Sequence, residues 1–66
     1  MKTELVSNTR TTMYGHRKLT ILVDGISYSA ITTDMRMTDN LDDDDDEIRE
    51  QATKDAIRFV MSANYL

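Results

Sequence analysis

The segment that most constrains the fold is 19–31, where two apolar-rich stretches flank the dipeptide Asp24-Gly25. Asp-Gly favours a two-residue type I′ hairpin turn, because both turn residues need positive φ. A hairpin folded at this dipeptide pairs Val23 with Ile26, Ile21 with Tyr28, and Leu19 with Ala30. These side chains share one face, and the other face is mostly polar: Lys18, Thr20, Leu22, Ser27, Ser29 and Ile31. A one-residue slip would destroy this separation, so the pattern supports the register.

A first strand is predicted upstream, over residues 5–14. This stretch is rich in Thr and poor in helix formers, which is typical of a strand. We predict a three-residue loop at 15–17, because that loop would keep Met13 in the core, opposite Leu19. The same register would set Thr11 opposite Ile21.

The hydrophobic period changes from about two to about 3.6 after residue 47. The apolar residues that follow lie on one side of a predicted helix: Ile48, Ala52, Ala56, Phe59, Val60, Ala63 and Leu66. We place this helix at about 45–63, and the spacing of Asp44 and Glu47 is that of a capping box. Residues 38–45 are predicted to be an acidic connector, although alternation of Met35 and Met37 with charged residues leaves open a longer third strand.

These elements predict an α+β fold in a single small domain, 1–66. Strands at about 5–14, 18–23 and 26–33 form a three-stranded antiparallel β-meander. The C-terminal helix covers one face of it, giving two layers in the order β-β-β-α. Phe59 is the only Phe in the chain and is predicted to lie at the centre of the core.

Composition limits the function classes. The chain has 66 residues, no Cys, one His and a net charge of −4. Disulfides and thiolate zinc sites are therefore excluded, and direct binding of nucleic acid is disfavoured by charge repulsion. Neither a signal peptide nor a membrane-spanning segment is predicted, which favours a cytoplasmic protein. Because a core this small often needs support, a homodimer is an open alternative.

The candidate functional site is an uninterrupted run of acidic residues. It holds six of the twelve acidic residues and comprises Asp42, Asp43, Asp44, Asp45, Asp46 and Glu47. Negative charge at a helix start offsets the helix dipole, but six carboxylates exceed what capping needs. The surplus favours contact with a basic partner, such as the surface of a nucleic-acid-binding protein. Calcium binding is a weaker alternative, because the EF-hand spacing and its Gly are missing.

The residues indicate a protein that is not an enzyme. There is no Cys nucleophile, phosphate-binding Gly loop or metal cluster in the sequence, and no catalytic residue, cofactor or metal ligand is predicted. We therefore expect a protein-interaction domain that acts through the acidic run. The alternative is a structural or assembly protein that works by homo-oligomerisation through the sheet face or an edge strand. In that case the acidic run serves only as a helix cap and a solubility element.

Overall fold

The protein is described by a computed structural model that covers residues 1–11 and 14–66. Its elements are β1 (Thr3–Arg10), β2 (Arg17–Val23), β3 (Ile26–Thr32), α1 (Met35–Asn40) and α2 (Asp46–Ala63). The strands form one antiparallel sheet in the order β1-β2-β3, and the helices follow. The predicted α+β fold is confirmed.

The hairpin of β2 and β3 has the predicted register. Val23 pairs with Ile26, and the pairing continues without a shift to Arg17 and Thr32. Asp24 and Gly25 have φ values of 51° and 85°, so both turn residues lie in the left-handed region that a type I′ turn requires. Local turn chemistry therefore determines this part of the sheet.

The predicted pairing of β1 with β2 is wrong. Ile21 pairs with Leu5 rather than with Thr11, and Leu19 pairs with Asn8. The register shifts between residues 5 and 7, as in a β-bulge, and Leu5 thereby gives Ile21 an apolar neighbour. The strand spans 3–10 instead of 5–14.

The connection from β1 to β2 is longer than the predicted three-residue loop. It extends from residue 11 to residue 16, and the Thr11 amide donates to the His16 carbonyl at 3.0 Å. The predicted core position of Met13 lies outside the described residues. The predicted three-residue loop requires Met13 to lie opposite Leu19, but Asn8 occupies that place.

A second helix occupies part of the predicted connector. β3 ends at Thr32, and α1 follows with Asp34 as its N-cap. The Asp34 side chain accepts a hydrogen bond from the Met37 amide at 3.1 Å. Short polar residues compete for backbone donors in this way, so Asp34 starts a helix where the Met alternation suggested a strand. Thr38 and Leu41 become buried as a result.

The core lies between the central strand and α2. Its fully buried large side chains are Leu19, Ile21 and Val60, and Ala52 and Ala56 provide the close helix–sheet contact. The predicted central position of Phe59 is wrong, because Phe59 is only partly buried and packs at the edge of this cluster. Because small alanines contact the sheet, the helix lies close to it. Val60 then occupies the centre of the core, and the neighbouring Phe59 lies at the side of the helix.

Other apolar residues assigned to the core are exposed. Ile26 is 59% exposed and Ile48 is 41% exposed. Ala63 is exposed as well. Ile26 adjoins the hairpin turn and Ile48 lies in the first turn of α2, so both are at the margin of the helix–sheet contact.

Each edge of the sheet has a backbone carbonyl bound by a side chain. On β1, the Arg17 guanidinium donates to the Asn8 carbonyl and to the Asn8 side-chain oxygen, both at 2.9 Å. On β3, the Asn64 amide group donates to the Ser29 carbonyl at 3.1 Å. These bonds occupy acceptors that an added strand would otherwise use.

We expect Ile21→Val to lower the free energy of unfolding by ~0.5–1.5 kcal/mol, because it removes one methylene from a fully buried site. Urea unfolding followed by circular dichroism would measure this change. Ile26→Val is the matched control and should change stability by less than ~0.5 kcal/mol, since Ile26 is exposed. An equal loss in both variants would contradict the assignment of the core.

Candidate functional site

The acidic run connects the two helices and begins the second. Residues 42–45 lie between α1 and α2, and Asp46 and Glu47 form the start of α2. Asp43 is half-buried and the other five residues are exposed. The run therefore lies on the surface at the positive end of the helix dipole, where carboxylates are favoured.

The residue that caps α2 is Asp45, and the predicted capping role of Asp44 is wrong. The Asp45 carboxylate accepts hydrogen bonds from the amides of Glu47 at 2.9 Å and Ile48 at 3.2 Å. A capping box needs its acidic residue at the third helical position, which Ile48 occupies. The cap is thus a single aspartate without a reciprocal partner.

Two more members of the run have structural roles. The Asp43 carboxylate accepts from the Asp45 amide at 2.8 Å and so fixes the approach to the cap. Asp46 forms an ion pair with Arg49. The same Arg49 guanidinium donates to the Asp43 carbonyl at 2.9 Å, which ties the loop to the helix. Because both partners of the ion pair are substantially exposed, its contribution to stability is small.

Three carboxylates of the run neither cap a backbone amide nor pair with a cation, although Glu47 in the first turn of α2 still offsets the helix dipole. Among the residues that the structure describes, the side chains of Asp42, Asp44 and Glu47 have no hydrogen-bond or ion-pair partner. All three are exposed. The sequence indicated a surplus of charge over capping, and these residues are that surplus.

The weaker calcium alternative gains no support. Within residues 1–11 and 14–66, no three His, Cys, Asp or Glu side chains come together in a way that would hold a metal ion. The carboxylates of Asp43 and Asp45 each accept a hydrogen bond from a backbone amide. A calcium site needs six to eight converging oxygen ligands.

The sequence pattern does not predict a groove that lies along α2. Two concavities of about 410 Å³ each have Met37 as a common lining residue, one towards the start of α2 and the other towards β3. We call their union the acidic groove. Its apolar lining includes Met37, Ile48, Ala52 and Phe59, and its acidic lining is Asp34, Glu47 and Asp55. The helical period alone assigned Ile48 and Phe59 to the core, because periodicity does not show how wide the covered stripe is.

The opposite side of α2 has the reverse charge. A concavity of about 420 Å³ there is lined by Lys54 and Arg58, together with the apolar side chains of Ile57, Met61 and Leu66. No Asp or Glu is among its lining residues in the described part of the chain. The charges that flank α2 are therefore segregated towards the end of the helix.

Comparison of the chain with protein-family models, with curated proteins and with solved structures finds no match. Neither helix of the described chain has the length and apolar character needed to cross a membrane.

We expect Asp45→Ala to lower the free energy of unfolding by ~0.5–2 kcal/mol, since it leaves the amides of Glu47 and Ile48 without their acceptor. Asp44→Ala removes the same charge from the next residue and should stay within ~0.5 kcal/mol of the parent. Chemical denaturation of both variants measures the difference. A larger loss in Asp44→Ala would show that the cap is assigned to the wrong residue.

Proposed function

We propose that this chain is a non-enzymatic protein-interaction domain that contacts a basic partner surface through the acidic start of α2. The observation that carries the proposal is the set of three exposed carboxylates without partners: Asp42, Asp44 and Glu47. A basic surface, such as that of a nucleic-acid-binding protein, is the complement that these charges favour. The absence of Cys suits a reducing compartment such as the cytoplasm.

The neighbouring residues support this proposal by fixing the backbone that carries the unpartnered carboxylates. Asp45 fixes the first turn of α2, and Asp43 with Arg49 fixes the loop before it. A charged surface that is already ordered loses less conformational entropy on binding. The net charge of −4 also attracts a cationic partner over distances longer than direct contact.

We expect the double variant Asp42→Asn/Asp44→Asn to weaken binding of a basic partner by roughly three- to tenfold, as expected for two exposed charge pairs. The measurement is affinity capture of basic proteins from the native host lysate, at low and at high salt. Capture by the parent should fall as salt rises, because exposed charges are screened.

The matched control is Glu4→Gln/Asp24→Asn, which removes the same charge at the hairpin end of the sheet. Asn is also favoured in a type I′ turn, so the turn should persist. Equal capture by the parent and the Asp42/Asp44 variant, with both folded by circular dichroism, would refute the proposal. An equal loss of capture in both double variants would show that binding depends on net charge alone and not on the acidic run, and would also contradict the proposal.

Self-association is the second candidate function, and one observation favours it. The sheet face opposite α2 is uncovered, and it carries the half-buried Leu22 and Ile31, which is 57% exposed. Contact of two such faces is favoured over strand pairing, because carbonyls on both edges are already bound by Arg17 and Asn64. The acidic run would then serve capping and solubility.

If the sheet face forms a homodimer, sedimentation should show a dimer at a concentration of ~100 μM, with a monomer on dilution. Ile31→Thr should shift the equilibrium towards monomer, because it removes apolar area from the contact. Ile26→Thr is the control, since Ile26 is equally exposed but points to the other face. A monomer at the highest concentration would eliminate this function.

A further inference from the structure

We propose that the acidic groove binds a cationic amphipathic helix of a partner protein. This inference rests on the proposed function and specifies the partner, because it adds an apolar contact to the electrostatic one. The acidic groove extends along α2 beside α1, so it lies next to the unpartnered carboxylate of Glu47.

The apolar lining residues of the acidic groove, which we call its floor, are suited to contact with apolar side chains. Ile48, Ala52 and Phe59 lie along one side of α2, and Met37 of α1 lines both concavities. The distance along the helix from Ile48 to Phe59 is ~16 Å, which corresponds to about three turns of a bound helix. Side chains at i, i+3, i+4 and i+7 of an amphipathic helix would reach this floor. Methionine adapts to such partners because its side chain is flexible.

The acidic lining residues of the groove, which we call its border, favour an occupant with positive charge. Asp34, Glu47 and Asp55 line it, and no Lys or Arg is among its lining residues in the described part of the chain. Asp34 caps α1 and Asp55 accepts from the Gln51 amide group at 3.0 Å, so both are held in position. Each carboxylate retains free acceptor sites for Lys or Arg.

The bound segment is expected to be a helix rather than a strand. A strand added at the adjacent edge would need the backbone groups of β3, and the Ser29 carbonyl is already bound by Asn64. A helix satisfies its own backbone groups and needs only the groove. Apolar and cationic side chains on adjacent faces then match the floor and the border.

A partner protein is a better occupant than a second copy of this chain. Two copies each carry a net charge of −4 and repel at long range. A copy would have to present the side of α2 that carries Lys54 and Arg58. Such a head-to-tail contact would build rings or chains of molecules, which sedimentation detects.

The test uses a defined probe, a fluorescent helical peptide of about 18 residues with a Leu face and a Lys face. A peptide of the same composition in scrambled order is the control for charge alone. Fluorescence anisotropy at moderate salt should show tighter binding of the amphipathic peptide. NMR shifts should fall on Met37, Ile48 and Phe59. Shifts confined to the side of Lys54 and Arg58, or equal binding of both peptides, would overturn the proposal.

Substitutions locate the contact. Ile48→Ser should weaken peptide binding by roughly tenfold, because it removes apolar area from the floor. Ile26→Ser is the matched control on an exposed isoleucine outside the groove and should leave affinity unchanged. Glu47→Gln should weaken binding more than Glu4→Gln, which removes the same charge from the far end of the sheet. Circular dichroism confirms that each variant is folded.

The outcomes separate this inference from the proposed function. If Ile48→Ser and Ile26→Ser bind the peptide equally, the groove inference is wrong. If Asp42→Asn/Asp44→Asn still loses capture of basic proteins in that case, the proposed function stands without the groove. Concentration-dependent chains in sedimentation that Ile48→Ser abolishes would assign the groove to a second copy and overturn the proposal.

Discussion

The burial of the central strand under α2 is the constraint on which the rest of the structure depends. Leu19, Ile21 and Val60 are the fully buried large side chains, and alanines at 52 and 56 let the helix approach the sheet closely. Close approach leaves little room for a bulky side chain at the centre. Phe59 and Ile48 are consequently displaced to the side of the helix, where they form part of a surface groove instead of the core.

The parts of the fold that could be predicted are those specified locally. Asp24 and Gly25 determine their own backbone conformation, and the apolar alternation on either side of them determines the register. The helical period after residue 47 likewise gave α2 to within one residue at its start. Pairing of β1 depends on distant residues and includes an irregularity near Leu5, which alternation of residues does not reveal.

The sequence locates the acidic run before the helix, but it does not show which members of the run cap the helix or pair with a cation. A run of like residues gives no signal that tells a cap from its neighbours, because Asp44 and Asp45 are chemically identical. The backbone conformation makes Asp45 the N-cap of α2, and Asp46 pairs with Arg49. The groove was not predictable from composition or period, since it depends on the short helix α1. That helix has too few residues to show a period, and only the N-cap residue Asp34 signals its start.

The acidic run lies at the start of α2, where the groove also begins, but the two surfaces contribute different interactions. The run supplies charge that water largely screens, whereas the groove supplies apolar area that water does not screen. A partner that used both would associate quickly through the first and dissociate slowly because of the second. Glu47 belongs to both surfaces and connects them.

The segregation of charge across α2 has a consequence for how the molecule moves. Towards the end of α2, the concavity beside Arg58 has no carboxylate among its lining residues in the described chain, whereas Asp34 and Asp55 line the other side without a Lys or Arg. A cationic surface repels the first side and attracts the second. Its field therefore exerts a torque on the molecule that turns the acidic side forward before the two bodies touch. That alignment operates within about 8 Å at physiological ionic strength, so it acts during the last step of approach.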